Sequence, residues 1–266
     1  MSLDETLIKA FHAHMAMGDL FHDESGKTHE VFQASTIGAL LEGIYDGEIT
    51  FAELARHGDF GPGTFNALDG EMTALDGEMT ALDGAFFQAT ADGRVAPATP
   101  DMKTPFAVMI FFDPTLVIEA ETPMDFAALT EALDHAVPSK NVFYAIKAEG
   151  RFDELRLRSV PRQAKPYPAL VDAVAHQPIF DHREIEGTLV GFRFPDYTRG
   201  LNVPGYHLHF LSQDRSVGGH VLHFSTAKAR VEIDVTSQFR MALPHDPAFL
   251  SADLTKDNAG TIRKVE

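Results

Sequence analysis

The stretch Tyr206-His207-Leu208-His209-Phe210, followed by His220, decides the reading of this chain. Side chains alternate faces along a strand, so His207 and His209 point the same way. Between Leu211 and Gly219 the sequence carries Gln213-Asp214-Arg215 and Gly218-Gly219, a polar turn flanked by apolar strand. A hairpin there brings His220 back beside the first two. Three imidazoles converging from a rigid hairpin can hold a zinc or similar ion and leave a coordination position open for substrate. No fourth protein ligand is evident nearby in sequence, which is the pattern of a catalytic rather than a structural site. The chain has 13 histidines, so a pair at i, i+2 also arises by chance. A lone pair of this kind is more often solvated than metal-bound, and the third histidine after a glycine-rich turn is what raises it above that background. His223 stands at odd spacing from His220, so a regular strand turns it to the other face.

Composition narrows the classes that could carry such a site. A length of 266 residues with 44% hydrophobic content supports one large packed domain or two small ones. The net charge of -17 leaves no basic stripe to meet phosphates, which argues against nucleic acid and against anionic membrane surfaces. An anionic substrate has to be attracted locally, by a metal or a placed arginine, against the field of the whole protein. The absence of cysteine excludes a disulfide scaffold, a thiol nucleophile and a thiolate zinc site. The N-terminal sequence lacks the basic and apolar regions of a secretory signal. No segment reaches the roughly 18 to 20 apolar residues that span a bilayer. A soluble cytoplasmic protein is the expectation.

Strand signals dominate the middle and end of the chain. Residues 3–17 read as a helix, and Ser35 reads as the N-cap of an amphipathic run from Thr36 to Tyr45. Thr50-Phe51-Ala52-Glu53 is a capping box opening a short helix. Asp92-Gly93 and Glu149-Gly150 read as tight hairpins, the second joining Phe143–Ile146 to Leu155–Val160. Helices are expected from Thr122 to His135 and from Pro168 to His176, and strands over Thr188–Phe194, His207–Leu211, His220–Phe224 and Arg230–Leu243. Helices do not alternate regularly with strands, which favours α+β over a doubly wound sheet. The expected architecture is strand-rich and two-part, with mixed and antiparallel sheets and short peripheral helices. It forms a single domain over residues 1–266, in two strand-rich halves of about 1–165 and 166–266.

The seven residues Ala67-Leu-Asp-Gly-Glu-Met-Thr73 are repeated at 74–80, and Ala-Leu-Asp-Gly recurs at 81–84. A period of seven is too short for a solenoid, and a tandem duplication within a hairpin is the simpler account. An odd insertion inside a regular strand flips every later side chain, so the extra unit has to be absorbed in a turn or bulge. The Asp-Gly pairs make that easy.

Several segments together resemble the alpha-acetolactate decarboxylase family. They are Ser35-Thr-Ile-Gly-Ala-Leu-Leu-Glu-Gly-Ile-Tyr-Asp-Gly-Glu48, Gly63-Thr64-Phe65 leading into Leu68-Asp69-Gly70-Glu71-Met72, Asn141-Val-Phe-Tyr-Ala-Ile146, Arg156-Leu157-Arg158-Ser159-Val160-Pro161 with Lys165-Pro166-Tyr167, and the histidine hairpin. Their order and spacing fit from about residue 18 to the C-terminus. The resemblance implies a Zn2+ enzyme, assembled as a homodimer, that converts 2-acetolactate to acetoin and carbon dioxide. It implies His207, His209 and His220 as the zinc ligands and Arg158 as the active-site arginine. Thr64 matches a pocket residue, and Glu266 matches a glutamate that reaches back into the site from the C-terminus. The family has one glutamate in the segment that is duplicated here. Glu71 keeps its spacing from the upstream side and Glu78 from the downstream side, with Glu78 slightly favoured because more of the packed domain lies downstream.

The chemistry suits such a set. Loss of carbon dioxide leaves an electron pair that the substrate's own ketone absorbs as an enediolate. A zinc held by three neutral histidines can stabilise that charge as a Lewis acid. Arg158 can hold the carboxylate or the developing oxyanion, with Arg156 on the same strand face as a possible helper. A glutamic acid then protonates carbon. Two rivals remain: a cupin-like metal oxygenase, which also uses His-x-His and a later histidine, and a non-catalytic metal or ligand-binding module.

Overall fold

The computed structural model describes residues 29–66, 73–74, 77–137, 139–175, 177–256 and 260–262. The helix expected over 3–17 and the candidate residues Glu71 and Glu266 lie outside the described residues.

Two sheets organise the chain. The first has seven strands in the order Phe239–Ala242, Val31–Ala34, Ala107–Met109, Gly61–Thr64, Glu78–Leu82, Ala85–Ala89 and Val95–Pro97. Its first pair is parallel and the rest are antiparallel. The second sheet runs Leu116–Ala120, Gly218–Thr236, Phe143–Arg158, Ile179–Phe194, Gly205–Ser212, with the short strand Met124–Asp125 also on Gly218–Thr236. Gly205–Ser212 pairs back onto Gly218–Thr236, so the four long strands close into a ring. Closure removes two sheet edges and fixes the register of every residue on the histidine hairpin. This is the strand-rich α+β architecture with mixed and antiparallel sheets that the sequence suggested.

Alternation along these strands divides the core. Leu157, Leu189, Leu208, Phe210, Val221 and Phe224 come from all four ring strands and pack in one cluster around Phe152. Phe152 meets Phe210 and Phe224 edge-on at 5.4 and 5.6 Å. Ala145, Val190, Phe192 and Leu211 point the other way and join Val31 and Val108 of the first sheet, and Phe60 just before it, in a second cluster. Leu211 shares its parity with His207 and His209, so both imidazoles face the first sheet rather than solvent.

Glu149-Gly150 is not a hairpin. It lies inside one 16-residue strand, Phe143–Arg158, where Gly150 is opposite both Gly187 and Ala229. A Cβ on Gly150 would stand 2.6 Å from the Lys228 carbonyl oxygen, so this glycine marks a close strand approach instead of a turn. Strands expected at His220–Phe224 and from Arg230 likewise belong to one 19-residue strand, Gly218–Thr236. The run after Ser35 gives only a five-residue helix, Ile37–Leu41, buried on all sides and capped by the Thr36 side chain, while Ser35 itself takes φ 62°. The capping box at Thr50 and Glu53 is present in both directions, and Asp92-Gly93 does turn the chain between Ala85–Ala89 and Val95–Pro97. The first repeat and the start of the second fall in sequence between Thr64 and its cross-strand partner Glu78, and the second repeat ends inside the strand Glu78–Leu82. The next Asp-Gly, Asp83-Gly84, has positive φ at both residues and joins Leu82 to Ala85, the geometry of a tight two-residue hairpin.

Gly191 is the ladder partner of Leu208 on the neighbouring strand, and a Cβ there would lie 2.0 Å from the His207 carbonyl oxygen. Backbone cannot yield as a flexible side chain does. Gly191→Ala is therefore expected to destabilise the fold by about 1–3 kcal/mol. A urea midpoint unchanged from the parent protein would contradict this.

Candidate active site

Strand register alone sets Arg158, His220 and His209 side by side, because His220 is opposite Arg158 on one neighbour and His209 on the other. His207 sits two residues along on the same face. One nitrogen from each histidine lies within 4.8 Å of the others, and the Nε2 atoms of His207 and His209 are 3.2 Å apart. Two nitrogens bound to one tetrahedral ion at ordinary zinc–nitrogen lengths are separated by about 3.3 Å. His209 Nδ1 lies 2.8 Å from the Met79 carbonyl oxygen. A carbonyl only accepts, so Nδ1 carries the proton and Nε2 presents its lone pair to the other histidines.

All three imidazoles are buried, and burial is the largest cause holding them neutral. It pushes His207 down to about 3, with the nearby Arg158 charge adding to the shift. His209 and His220 are likewise held well below the usual range, first by burial and then by the neighbouring histidines and Arg158. Neutral imidazole is the form that binds metal. Donor type, spacing, charge state and the His209 tautomer thus fit an ion, and these three buried residues could hold one.

The first sheet supplies the facing wall. Thr64 and Glu78 are direct cross-strand partners, both buried. Glu78 Oε2 lies 3.6 Å from His209 Nε2, and its Oε1 lies 4.0 Å from Arg158 Nη1. Close packing on this side depends on Gly63, where a Cβ would meet the Phe106 carbonyl oxygen at 2.7 Å and Met79 Cε at 2.8 Å. Besides His209 and Met79, two further hydrogen bonds link the chain segments beside the site: Gly77 N–H donates to the Val160 carbonyl at 3.1 Å, and Ser159 Oγ donates to the Ala89 carbonyl at 2.7 Å. These hold Glu78 and Arg158 at a fixed separation although they belong to different sheets.

Thr64, Glu78, Arg158, His207 and His220 line one cavity of about 30 Å³, completed by Ile37, Leu40, Phe106, Val160 and Leu170. The Thr64 hydroxyl oxygen is buried without a hydrogen-bond partner. An orphaned hydroxyl in such a cavity is a group shaped to meet a ligand. The lining combines charged and polar side chains with apolar ones, suited to a small molecule with both kinds of surface.

Two sequence expectations do not hold. Arg156 is not a helper: it is exposed and forms an ion pair with Asp181 at 2.7 Å. His223 does not turn to the opposite face. A bulge places Val221 opposite Leu157 and His223 opposite Arg156, which restores the parity of His220, yet His223 is exposed and outside the histidine cluster. Two contributors have no sequence signal. Gln177 accepts from Arg158 Nη1 at 3.0 Å, and the Met79 carbonyl orients His209.

A family model described as alpha-acetolactate decarboxylase matches residues 31–256. An alpha-acetolactate decarboxylase from Methylococcus capsulatus is 56% identical over 266 residues, covering 100% of both chains. One from Methanosarcina mazei is 44% identical over 93% of this chain and 84% of its own. The crystal structure of alpha-acetolactate decarboxylase from Bacillus subtilis strain 168 superposes with a TM-score of 0.85 at 36% identity, covering 89% of this chain and 99% of that one. The chain therefore belongs to the alpha-acetolactate decarboxylase family and is an enzyme, a carboxy-lyase.

Proposed function

We propose that this chain decarboxylates 2-acetolactate to acetoin at the cavity between its two sheets, with zinc held by His207, His209 and His220. The observation that carries the reading is three buried, neutral histidines converging beside a buried arginine and a buried glutamate. Zinc bound there would supply Lewis-acid stabilisation of negative charge on the substrate oxygens. The remaining work falls to the protein. Arg158, buried and positive, attracts and orients the substrate carboxylate in a chain whose net charge is -17. The bond from the carboxylate carbon to the carbinol carbon breaks, carbon dioxide leaves, and the electron pair passes into the ketone as an enediolate. One proton taken up at carbon completes acetoin. Glu78 lies 3.6 Å from His209 and is the residue we assign to that delivery, with Glu266 as its partner by family resemblance. Thr64 presents its unpaired hydroxyl to a substrate oxygen. The cavity of about 30 Å³ has room for a water molecule, so acetolactate displaces part of the apolar wall as it binds.

We further propose one domain per chain and a homodimer in the cytoplasm, with no nucleic-acid partner. Among the described residues no helix is long and apolar enough to cross a membrane. Light scattering on the purified protein reads the assembly state.

Incubation of metal-replete protein with acetolactate under nitrogen is expected to give acetoin and carbon dioxide in equal amounts. Failure without oxygen, with recovery in air, would favour a metal oxygenase. Metal binding without turnover would favour a binding module.

Protons compete with the ion for the same nitrogens, so low imidazole pKa values extend metal retention into acid. An exposed histidine begins to lose metal near pH 6.5. With His207 at about 3 and its neighbours also depressed, bound zinc is expected to stay constant from neutrality down to about pH 5. Release centred near pH 6.5 would show that the three imidazoles are not held in their neutral state.

A further inference from the structure

Ser159 directly follows Arg158 and is fully buried, yet it does not line the cavity. Its Oγ donates to the Ala89 carbonyl at 2.7 Å. Ala89 ends the strand Ala85–Ala89 and is the ladder partner of Glu78. One side-chain hydrogen bond therefore runs from the residue after the arginine to the residue opposite the glutamate.

The surroundings of that carbonyl are built to keep the bond. Gly77, immediately before Glu78, has φ 86°, and a Cβ there would stand 2.4 Å from the Ala89 carbonyl oxygen. A side chain at 77 would displace the acceptor of Ser159 or strain the turn. A Cβ on Gly218, the first residue of the strand that carries His220, would lie 3.3 Å from Ala89 Cβ. Ala89 is thus packed close to the histidine strand while bonded to the arginine segment. The neighbouring bond from Gly77 N–H to the Val160 carbonyl is made by backbone, which most residues supply. The hydroxyl at 159 is specified by sequence.

Proton delivery to carbon depends on the distance between the acid and the anchored substrate. Glu78 Oε1 stands 4.0 Å from Arg158 Nη1, and the two residues come from strands of different sheets. Their separation is set by the contacts between the flanking segments. A misplacement of about 1 Å in such a pair costs a rate up to about 100-fold.

We infer that Ser159 is a positioning residue that, through the Ala89 carbonyl, sets the reach of Glu78 relative to Arg158. The inference rests on the proposed role of Glu78 and deepens it. Its signature is a loss in kcat that exists only while Glu78 is present.

The test compares Ser159→Ala and Ser159→Cys with the parent, and Ser159→Ala combined with Glu78→Gln against Glu78→Gln alone. Each protein is loaded with zinc and checked for metal content and melting temperature. Cysteine nearly preserves volume and weakens the donor, so it decides the matter if alanine lowers metal content or fails to fold. Both single variants are expected to lower kcat by about 10-fold, with KM for acetolactate within about 3-fold of the parent. In the Glu78→Gln background Ser159→Ala should change the residual kcat by less than about 2-fold. An equal fall in both backgrounds would mean general disruption and would overturn the inference. So would parent-like kcat in both single variants, or a rise in KM at unchanged kcat. If Glu78→Gln itself leaves kcat unchanged, the fault lies with the proposed role of Glu78, and the inference falls with it.

Discussion

Glu78→Gln is expected to lower kcat by about 1,000-fold while the protein keeps its metal and its fold, and Glu71→Gln is expected to leave kcat within about 2-fold of the parent. The two glutamates occupy identical sequence contexts, so nothing local distinguishes them. Position does. Glu78 opens the strand Glu78–Leu82, pairs with Thr64, and lies 3.6 Å from His209 and 4.0 Å from Arg158. Glutamine keeps the shape and some hydrogen bonding but cannot give up a proton to carbon, which isolates the chemical step. Initial rates of acetoin formation beside metal analysis decide the matter. Loss of activity in Glu71→Gln with retention in Glu78→Gln would place the wrong glutamate at the site.

His209→Ala is expected to abolish stoichiometric zinc binding and reduce turnover by at least about 1,000-fold. The residue is fully buried, its Nδ1 fixed on the Met79 carbonyl and its Nε2 3.2 Å from that of His207. Alanine also removes the hydrogen bond to the Met79 carbonyl, at a cost of about 1 kcal/mol. The ring cluster around Phe152, Phe210 and Phe224 is untouched, so far-ultraviolet circular dichroism should remain that of the parent at room temperature. Retention of metal with parent-like turnover would remove the histidine cluster from the mechanism. By contrast His223→Ala should change neither property, because that side chain is exposed.

The histidine hairpin was readable because its information is local: an i, i+2 spacing on one strand and a polar turn of a length that returns the chain. Two features of the same strands were not readable. Gly150 looks like a turn signal, but its meaning depends on Lys228 and Ala229, which approach from nearly eighty residues away. The bulge near Leu222 cancels the parity argument for His223, and a bulge leaves no mark in composition. Arg156 and Arg158 share a face, yet tertiary packing buries Arg158 in the cavity and leaves Arg156 exposed beside Asp181. Gln177 had no signal at all, since a single amide before a strand is ordinary in any sequence. Sequence resemblance supplied Arg158, Thr64 and the glutamate where local physics could not.

Titrating metal-free protein with zinc while following acetoin release tests the central claim most directly. Activity should rise linearly and level off at one ion per chain in the parent, and stay at background throughout in His207→Ala and His209→Ala. Equal activity in the metal-free protein, or a zinc response preserved in both variants, would contradict a site built on these histidines.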